Sequence, residues 1–355
     1  MNVLEQTCQK IFPQDSAARA EATARLEQLA LPHWALGDLM DLAVELAGMT
    51  GTIKPVFAKK AIVTMAGDHG VTAEGVSKFP PEVTPQMVYN FVNGGAGINA
   101  LARQAGADVF VVDMGVNADF SELVSAGKII DKKIGFGTNN IARGPAMSIA
   151  GARQAVEAGI EVAAALCRDY DLLGTGDMGI GNTTPSTAIA AVITGKPVEL
   201  LTGRGSGLDD KQLAAKISTI SKILEINKVD KNNGLDVLAK VGGFEIGGIA
   251  GLIIGAAAHR VPVVVDGFIS TAGALIAYKI EPFVRDYLIF AHRSVEPGHT
   301  FMQEVLGCKK PLLDLNMRLG EGTGGAVAMN LVEAAAAILK DIATFEEAAV
   351  AGADK

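Results

Sequence analysis

From about residue 60 the chain alternates short, almost wholly apolar runs with longer stretches in which apolar side chains recur at helical spacing. The clearest runs are AIVTMAG (61–67), DVFVVDMG (108–115), YDLLGTG (170–176), VPVVVDG (261–267) and DYLIFAH (286–292). Strands apolar on both faces belong in a parallel sheet covered on each side by helices. The two ends read differently. Asp15 and Ser16 cap a helical run that reaches Ala30 and is stopped by Pro32, and residues 36–49 repeat the helical period. Past residue 323, GGAVAMNLVEAAAAILKDIA is helical again. The pattern predicts an α/β protein with a Rossmann-like open parallel sheet flanked by helices over residues 55–322. The helices of 1–54 and 323–355 are expected to pack together as a smaller helical domain.

Composition narrows the function. Of 355 residues, 31 are Lys or Arg and 39 are Asp or Glu, a formal charge of −8. That excludes a general nucleic-acid binder, whose affinity needs a surplus of cations. At 49% hydrophobic and 20% charged residues, the chain can bury a large core. The three cysteines, Cys8, Cys167 and Cys308, form no C-x-x-C pair, as expected of free thiols in a reducing cytoplasm. The longest apolar stretch, 246–258, has 13 residues and falls short of the ~20 that span a bilayer. The first residues carry no apolar signal segment before Glu5. A soluble protein with no membrane partner is expected.

In an open parallel sheet, ligands bind beyond the carboxyl ends of the strands. The segment GTGDMGIGNTTPS (174–186) has four glycines before its helix. Thr183 or Thr184 is the expected cap, with Pro185 in the first turn. Free N–H groups at such a helix start suit a phosphate, although an ordinary glycine-rich turn would read the same way. The pattern is neither a Walker loop nor G-x-G-x-x-G. In RLGEGTGGA (318–326), Glu321 sits between glycines before a long helix. It is either a helix-terminal charge or a base carried where small neighbours leave room for substrate. His69, beside Asp68, reads as hydrogen-bonded structure or as a ligand. His292 and His299 lack a compact ligand spacing, so neither a catalytic metal nor a cofactor is expected.

Five segments in order, AGDHGVTAEGVSKFPPEVTPQMV (66–88), GDMGIGNTTPS (176–186), KVGGFEIGGIAGLIIGAA (240–257), VVDGFISTAGAL (264–275) and RLGEGTGGA (318–326), closely resemble the nicotinate-nucleotide–dimethylbenzimidazole phosphoribosyltransferase family. The resemblance covers about residues 15–340. It implies a Rossmann-like homodimer that moves 5-phosphoribose from nicotinate mononucleotide to 5,6-dimethylbenzimidazole. The products are α-ribazole 5′-phosphate and nicotinate, with inversion at the anomeric carbon, in the making of the lower ligand of cobalamin. The chemistry needs one base. The pyridinium nitrogen leaves without protonation, while the attacking benzimidazole becomes cationic and must lose its other N–H proton. A glycosidase, by contrast, flanks its bond with two carboxylates. Glu321 matches the family's catalytic glutamate.

Other positions follow from the same resemblance. Asp177 replaces a glutamate found in many relatives, one methylene shorter, and either stabilises the ribosyl cation or holds the ribose hydroxyls. Gly179, Gly181 and Asn182 are expected against the nucleotide. Lys216 and Ser294 match phosphate contacts, although Lys216 also reads as a solvated helix face. Phe79 and Met87 replace a small polar residue and a glutamine of some relatives and make the acceptor slot more apolar, with Gln86 a candidate polar contact. Met178, Gly203, Leu319 and Gly320 complete the residues expected to touch substrate. Another benzimidazole, a phenolic or adenine remains open as acceptor. A nucleotide N-glycosidase and a non-catalytic nucleotide sensor are the competing classes.

Overall fold

The computed structural model describes residues 1–351. Its centre is a six-stranded, wholly parallel sheet: β1 (Lys60–Gly67), β2 (Ala107–Gly115), β3 (Ile130–Asp131), β4 (Leu172–Met178), β5 (Val263–Val265) and β6 (Leu288–Phe290). The order across the sheet is β3-β2-β1-β4-β5-β6. The chain therefore builds outward from β1 in one direction, returns, and builds outward from β4 in the other. Crossovers on opposite faces diverge between β1 and β4, which opens a crevice at their carboxyl ends. Every residue of β1 is buried, as its unbroken apolar run requires.

Two expectations are corrected in detail. The edge strand β3 has no signal in the sequence, because two residues within KIIDKK carry no strand period. The apolar runs at 261–267 and 286–292 contribute only three paired residues each. At the first of them Pro262 accepts from the Leu173 N–H at 3.2 Å, and the chain leaves the sheet after Val265.

The 13-residue apolar stretch lies inside the Phe244–Ala258 helix, which is buried on all sides and packs along the Ile149–Leu166 helix. Glycine makes that approach possible. A Cβ at Gly251 would overlap the Val156 carbonyl, and one at Gly159 would overlap the Gly248 carbonyl. Among the described residues no helix is long and apolar enough to cross a membrane.

Helices from the two ends of the chain pack against one another. Asp15 caps the Ser16–Leu26 helix by accepting from Ala17 and Ala18, at 2.9 and 3.0 Å. This helix and Asp38–Thr50 pack against the Thr323–Asp341 helix, and Arg25 Nε donates to the Leu339 carbonyl at 2.7 Å. The Thr323–Asp341 helix also packs against the Gly97–Ala105 helix and against β1, β4 and β5. It joins the terminal helices to the sheet.

Candidate active site

At the carboxyl edge of β4, β5 and β6 lies a cavity of about 460 Å³, more apolar than polar in its walls. Three segments supply most of its polar groups: 177–183 at the end of β4 and beyond it, 292–296 after β6, and 318–321 before the Thr323–Asp341 helix. Gly179 lets the first of these lie flat on the end of β1, since a Cβ there would overlap the Gly67 carbonyl and stand 3.3 Å from His69 Nε2.

The turn bearing Glu321 is unusual. Gly320, Glu321 and Gly322 all have left-handed backbone, with φ of 81°, 64° and 99°. For glutamate this costs roughly 1–2 kcal/mol, and such strain persists only where the surroundings over-determine it. Here they do. The Glu321 N–H donates to the Asp177 carbonyl at 3.2 Å, and Thr64 Oγ1 donates to the Glu321 carbonyl at 2.9 Å. Glu321 is only 5% exposed, and its Oε2 accepts from the Ile98 N–H at 3.0 Å, at the start of the Gly97–Ala105 helix. Burial raises its pKa, opposed by the Ile98 amide and assisted by the charge of Asp266. Asp177 is shifted further. Burial, Asp266 and Glu245 push its pKa well above the carboxylate range, against a hydrogen bond from Asn182 Nδ2 at 3.1 Å. Its Oδ1 is buried with no hydrogen-bond partner.

Lys216 is not on a solvated face. It is 1% exposed, and its Nζ donates to Thr183 Oγ1 at 2.7 Å, at the first turn of the Thr183–Thr194 helix. Burial lowers its pKa to about 8, with Glu296 acting in the opposite direction. Glu296 Oε1 accepts from the Gly205 N–H at 3.1 Å while Oε2 has no partner. Burial raises the Glu296 carboxyl and Lys216 counters it. Ser294 lines the same wall, its N–H bound by His299 Nδ1 at 2.9 Å. His299 Nε2 meets Thr271 Oγ1 at 2.9 Å, and burial, with His292 beside it, lowers the His299 pKa to about 3. A neutral ring is what accepting from Ser294 requires.

The remaining expected residues divide. Phe79, Met87, Met178, Gly179, Gly181, Asn182, Leu319 and Gly320 line the cavity. Phe79 and Leu319 are exposed near its mouth, at 53% and 60%. Gly203 does not reach the wall but lies behind it, where a Cβ would collide with the Glu296 carboxylate. Gln86 is exposed outside the cavity: on the Val83–Val92 helix its neighbour Met87 takes the inward position. The helix cap differs as well. Asn182, not Thr183 or Thr184, occupies the N-cap, and its side chain is spent on Asp177.

Sequence reasoning placed the loops of Glu296, Asp266 and His292 at the ligand-binding end of the sheet but assigned none of the three a substrate or catalytic role. Their one legible signal was an ionisable residue closely following an apolar strand run. His69 proves to be paired, Nε2 to Glu245 Oε1 at 2.8 Å, both side chains buried. Burial opposes its charge, but Glu245 and Asp68 raise its pKa. Among the described residues no group of three or more His, Cys, Asp or Glu is disposed to hold a metal ion.

A helix terminus on the cavity, backed by the buried Lys216, which does not itself line the wall, and a strained, partly desolvated carboxylate on that wall at the switch point of a Rossmann-ordered sheet are what an enzyme acting on a phosphorylated nucleotide needs. The chain belongs to the phosphoribosyltransferase family, whose model matches residues 11–350. It is 70% identical over 355 residues, all of both chains, to a nicotinate-nucleotide–dimethylbenzimidazole phosphoribosyltransferase of Desulfotalea psychrophila. With one of the same description from Syntrophotalea carbinolica it shares 56% over 350 residues, 99% of each chain. Among solved structures, CobT from Thermus thermophilus superposes with a TM-score of 0.90 at 43% identity, covering 95% of this chain and all of that one.

Proposed function

We propose that this enzyme transfers 5-phosphoribose from nicotinate mononucleotide to 5,6-dimethylbenzimidazole, releasing nicotinate and α-ribazole 5′-phosphate in the assembly of cobalamin. The single observation that carries the mechanism is the Glu321 carboxylate on the cavity wall, held in left-handed backbone and partly desolvated. One benzimidazole nitrogen attacks C1′ from the face opposite the pyridinium. The C1′–N bond breaks, and its electron pair returns to the pyridine ring of nicotinate. The acceptor's other ring N–H passes its proton to Glu321. A carboxylate whose pKa is raised by burial is a stronger base than one in water.

The phosphate is assigned to the start of the Thr183–Thr194 helix, with Lys216 and Thr183 behind it and Ser294 opposite. Charge-assisted bonds from a buried lysine and a helix dipole are how a −8 protein attracts an anionic nucleotide. Asp177, with one unpartnered oxygen, is suited to hold ribose hydroxyls. Phe79, Met87, Met178 and Leu319 supply the apolar surface for the flat acceptor. That surface favours an aromatic acceptor over water, and so transfer over hydrolysis. A homodimer working in the cytoplasm is proposed on the family resemblance, with light scattering as the check on assembly. The deciding measurement is nicotinate release from nicotinate mononucleotide with and without dimethylbenzimidazole. Acceptor-dependent release is expected; acceptor-independent release would make the protein a glycosidase, and none at all a binding protein.

A further inference from the structure

Asp266 directly follows β5 and is buried at the sheet edge, yet it does not line the cavity. Its Oδ2 accepts from the Gly322 N–H at 3.2 Å and its Oδ1 from the Gly325 N–H at 3.0 Å. Both amides belong to the N-terminal turn of the Thr323–Asp341 helix, where free donors and the helix dipole favour a carboxylate. Asp266 thus grips the chain one residue beyond Glu321. It is itself anchored to β4, since the Asp266 N–H donates to Thr175 Oγ1 at 3.1 Å. Gly324 leaves room for the arrangement: a Cβ there would overlap His292 and stand 2.8 Å from Asp266 Oδ1.

We propose that Asp266 is a positioning residue for Glu321, holding the left-handed turn that carries the base and setting a second carboxyl group behind it. The proposal rests on Glu321 being the base of the transfer. The titratable and polar groups facing Glu321 come from several elements. They are Asp177 at the end of β4, Asp266 after β5, the Thr64 hydroxyl on β1, and the amides of Gly97 and Ile98. Arg318 precedes Glu321 on its own loop and lines the same cavity. Behind Asp266, His292 Nε2 stands 3.7 Å from Oδ1 and is the nearest group able to offset its charge. After burial, which is the larger effect, Asp266 is the neighbouring charge that makes the Glu321 carboxyl a stronger base.

The test compares D266N, D266S and E321Q with the unaltered full-length chain. The readouts are the pH dependence of acceptor-dependent nicotinate release, the KM for nicotinate mononucleotide, and Tm. D266N and D266S keep an acceptor for the helix turn and remove the charge; if one fails to fold, the other carries the test. The acid limb of kcat/KM should move to lower pH, because Glu321 no longer titrates beside a second carboxyl group. The nucleotide KM should stay within about twofold, with the loss confined to kcat. A wild-type acid limb with only a lower Tm would reduce Asp266 to a helix cap and overturn the proposal. If E321Q turns over normally, the base assignment falls and the proposal with it. If E321Q is inactive while D266N keeps the wild-type limb, the base assignment stands and the proposal for Asp266 falls.

Discussion

The amide of Ile98 donates to Oε2 of Glu321 at 3.0 Å across 223 residues of sequence, so the start of the Gly97–Ala105 helix fixes the carboxylate carried by the 320–322 turn. Hydrogen bonding to the ionised form and burial against it act in opposite directions, and burial prevails. A base needs both: geometry to reach the proton and a pKa high enough to take it.

Removing that carboxylate tests its role. Glu321→Gln keeps the size of the side chain, so nucleotide binding measured by calorimetry should persist, while kcat falls by ~10²–10⁴, the usual range for a general base. In the unaltered enzyme the acid limb of kcat/KM should lie above the ordinary glutamate pKa of about 4.3, because the shift of Glu321 is upward. Activity is lost as pH falls through that raised value. A limb at the ordinary value, or full activity in the glutamine variant, would falsify the assignment.

Lys216 gives a second pH signature, on binding. Its pKa of about 8 means that the amine is charged at neutral pH and neutral above that value. Affinity for nicotinate mononucleotide should therefore weaken as pH rises through about 8, where half of the amine is already neutral. Lys216→Ala should abolish this dependence and weaken binding by about 1.5–3 kcal/mol, the range of a charge-assisted hydrogen bond. Titrations at pH 7 and pH 9 on both proteins distinguish this from a lysine that merely supports Thr183.

The acceptor slot is tested by a contrast between near neighbours. Phe79→Ala should raise the KM for dimethylbenzimidazole and leave that for the nucleotide alone, because Phe79 borders the cavity. Gln86→Ala should change neither, since Gln86 is exposed outside it. Equal effects of the two on acceptor KM would show that the slot is built from another side of the helix.

A stability prediction follows from the close helix pair. Gly251→Ala places a methyl group into the Val156 carbonyl, where backbone on both sides leaves little to yield. The cost should be at least the ~1–3 kcal/mol of an overpacked core, read as a lower midpoint in urea unfolding. Alanine at the solvent-facing Gly127, where nothing lies within 4 Å but φ is 65°, should cost only the smaller backbone strain.

The parallel sheet and its burial were legible because their signals are local: a short apolar run such as 61–67, ended by glycine and an acidic loop, reads as a strand with two covered faces. The sheet's short edge, Ile130–Asp131, was not, because it exists only through pairing with Val112 and Asp113. Glu321 and Lys216 were likewise assigned from resemblance, whereas their surroundings were invisible. Nothing near residue 216 in sequence says that its amine is buried against Thr183. Nothing near 266 says that its carboxylate meets the amides of 322 and 325.

Helical and strand periods, chain length and glycine-flanked turns were thus enough for the class of fold and for the loops that hold the chemistry. Folding alone decided which of several ionisable residues at those loops face one another. It also decided which oxygens lost their water, and which neighbouring charge each carboxyl feels. The reason is physical. Secondary structure responds to side chains three or four positions apart, whereas a pKa responds to groups brought within a few ångströms from strands and helices far apart in the chain.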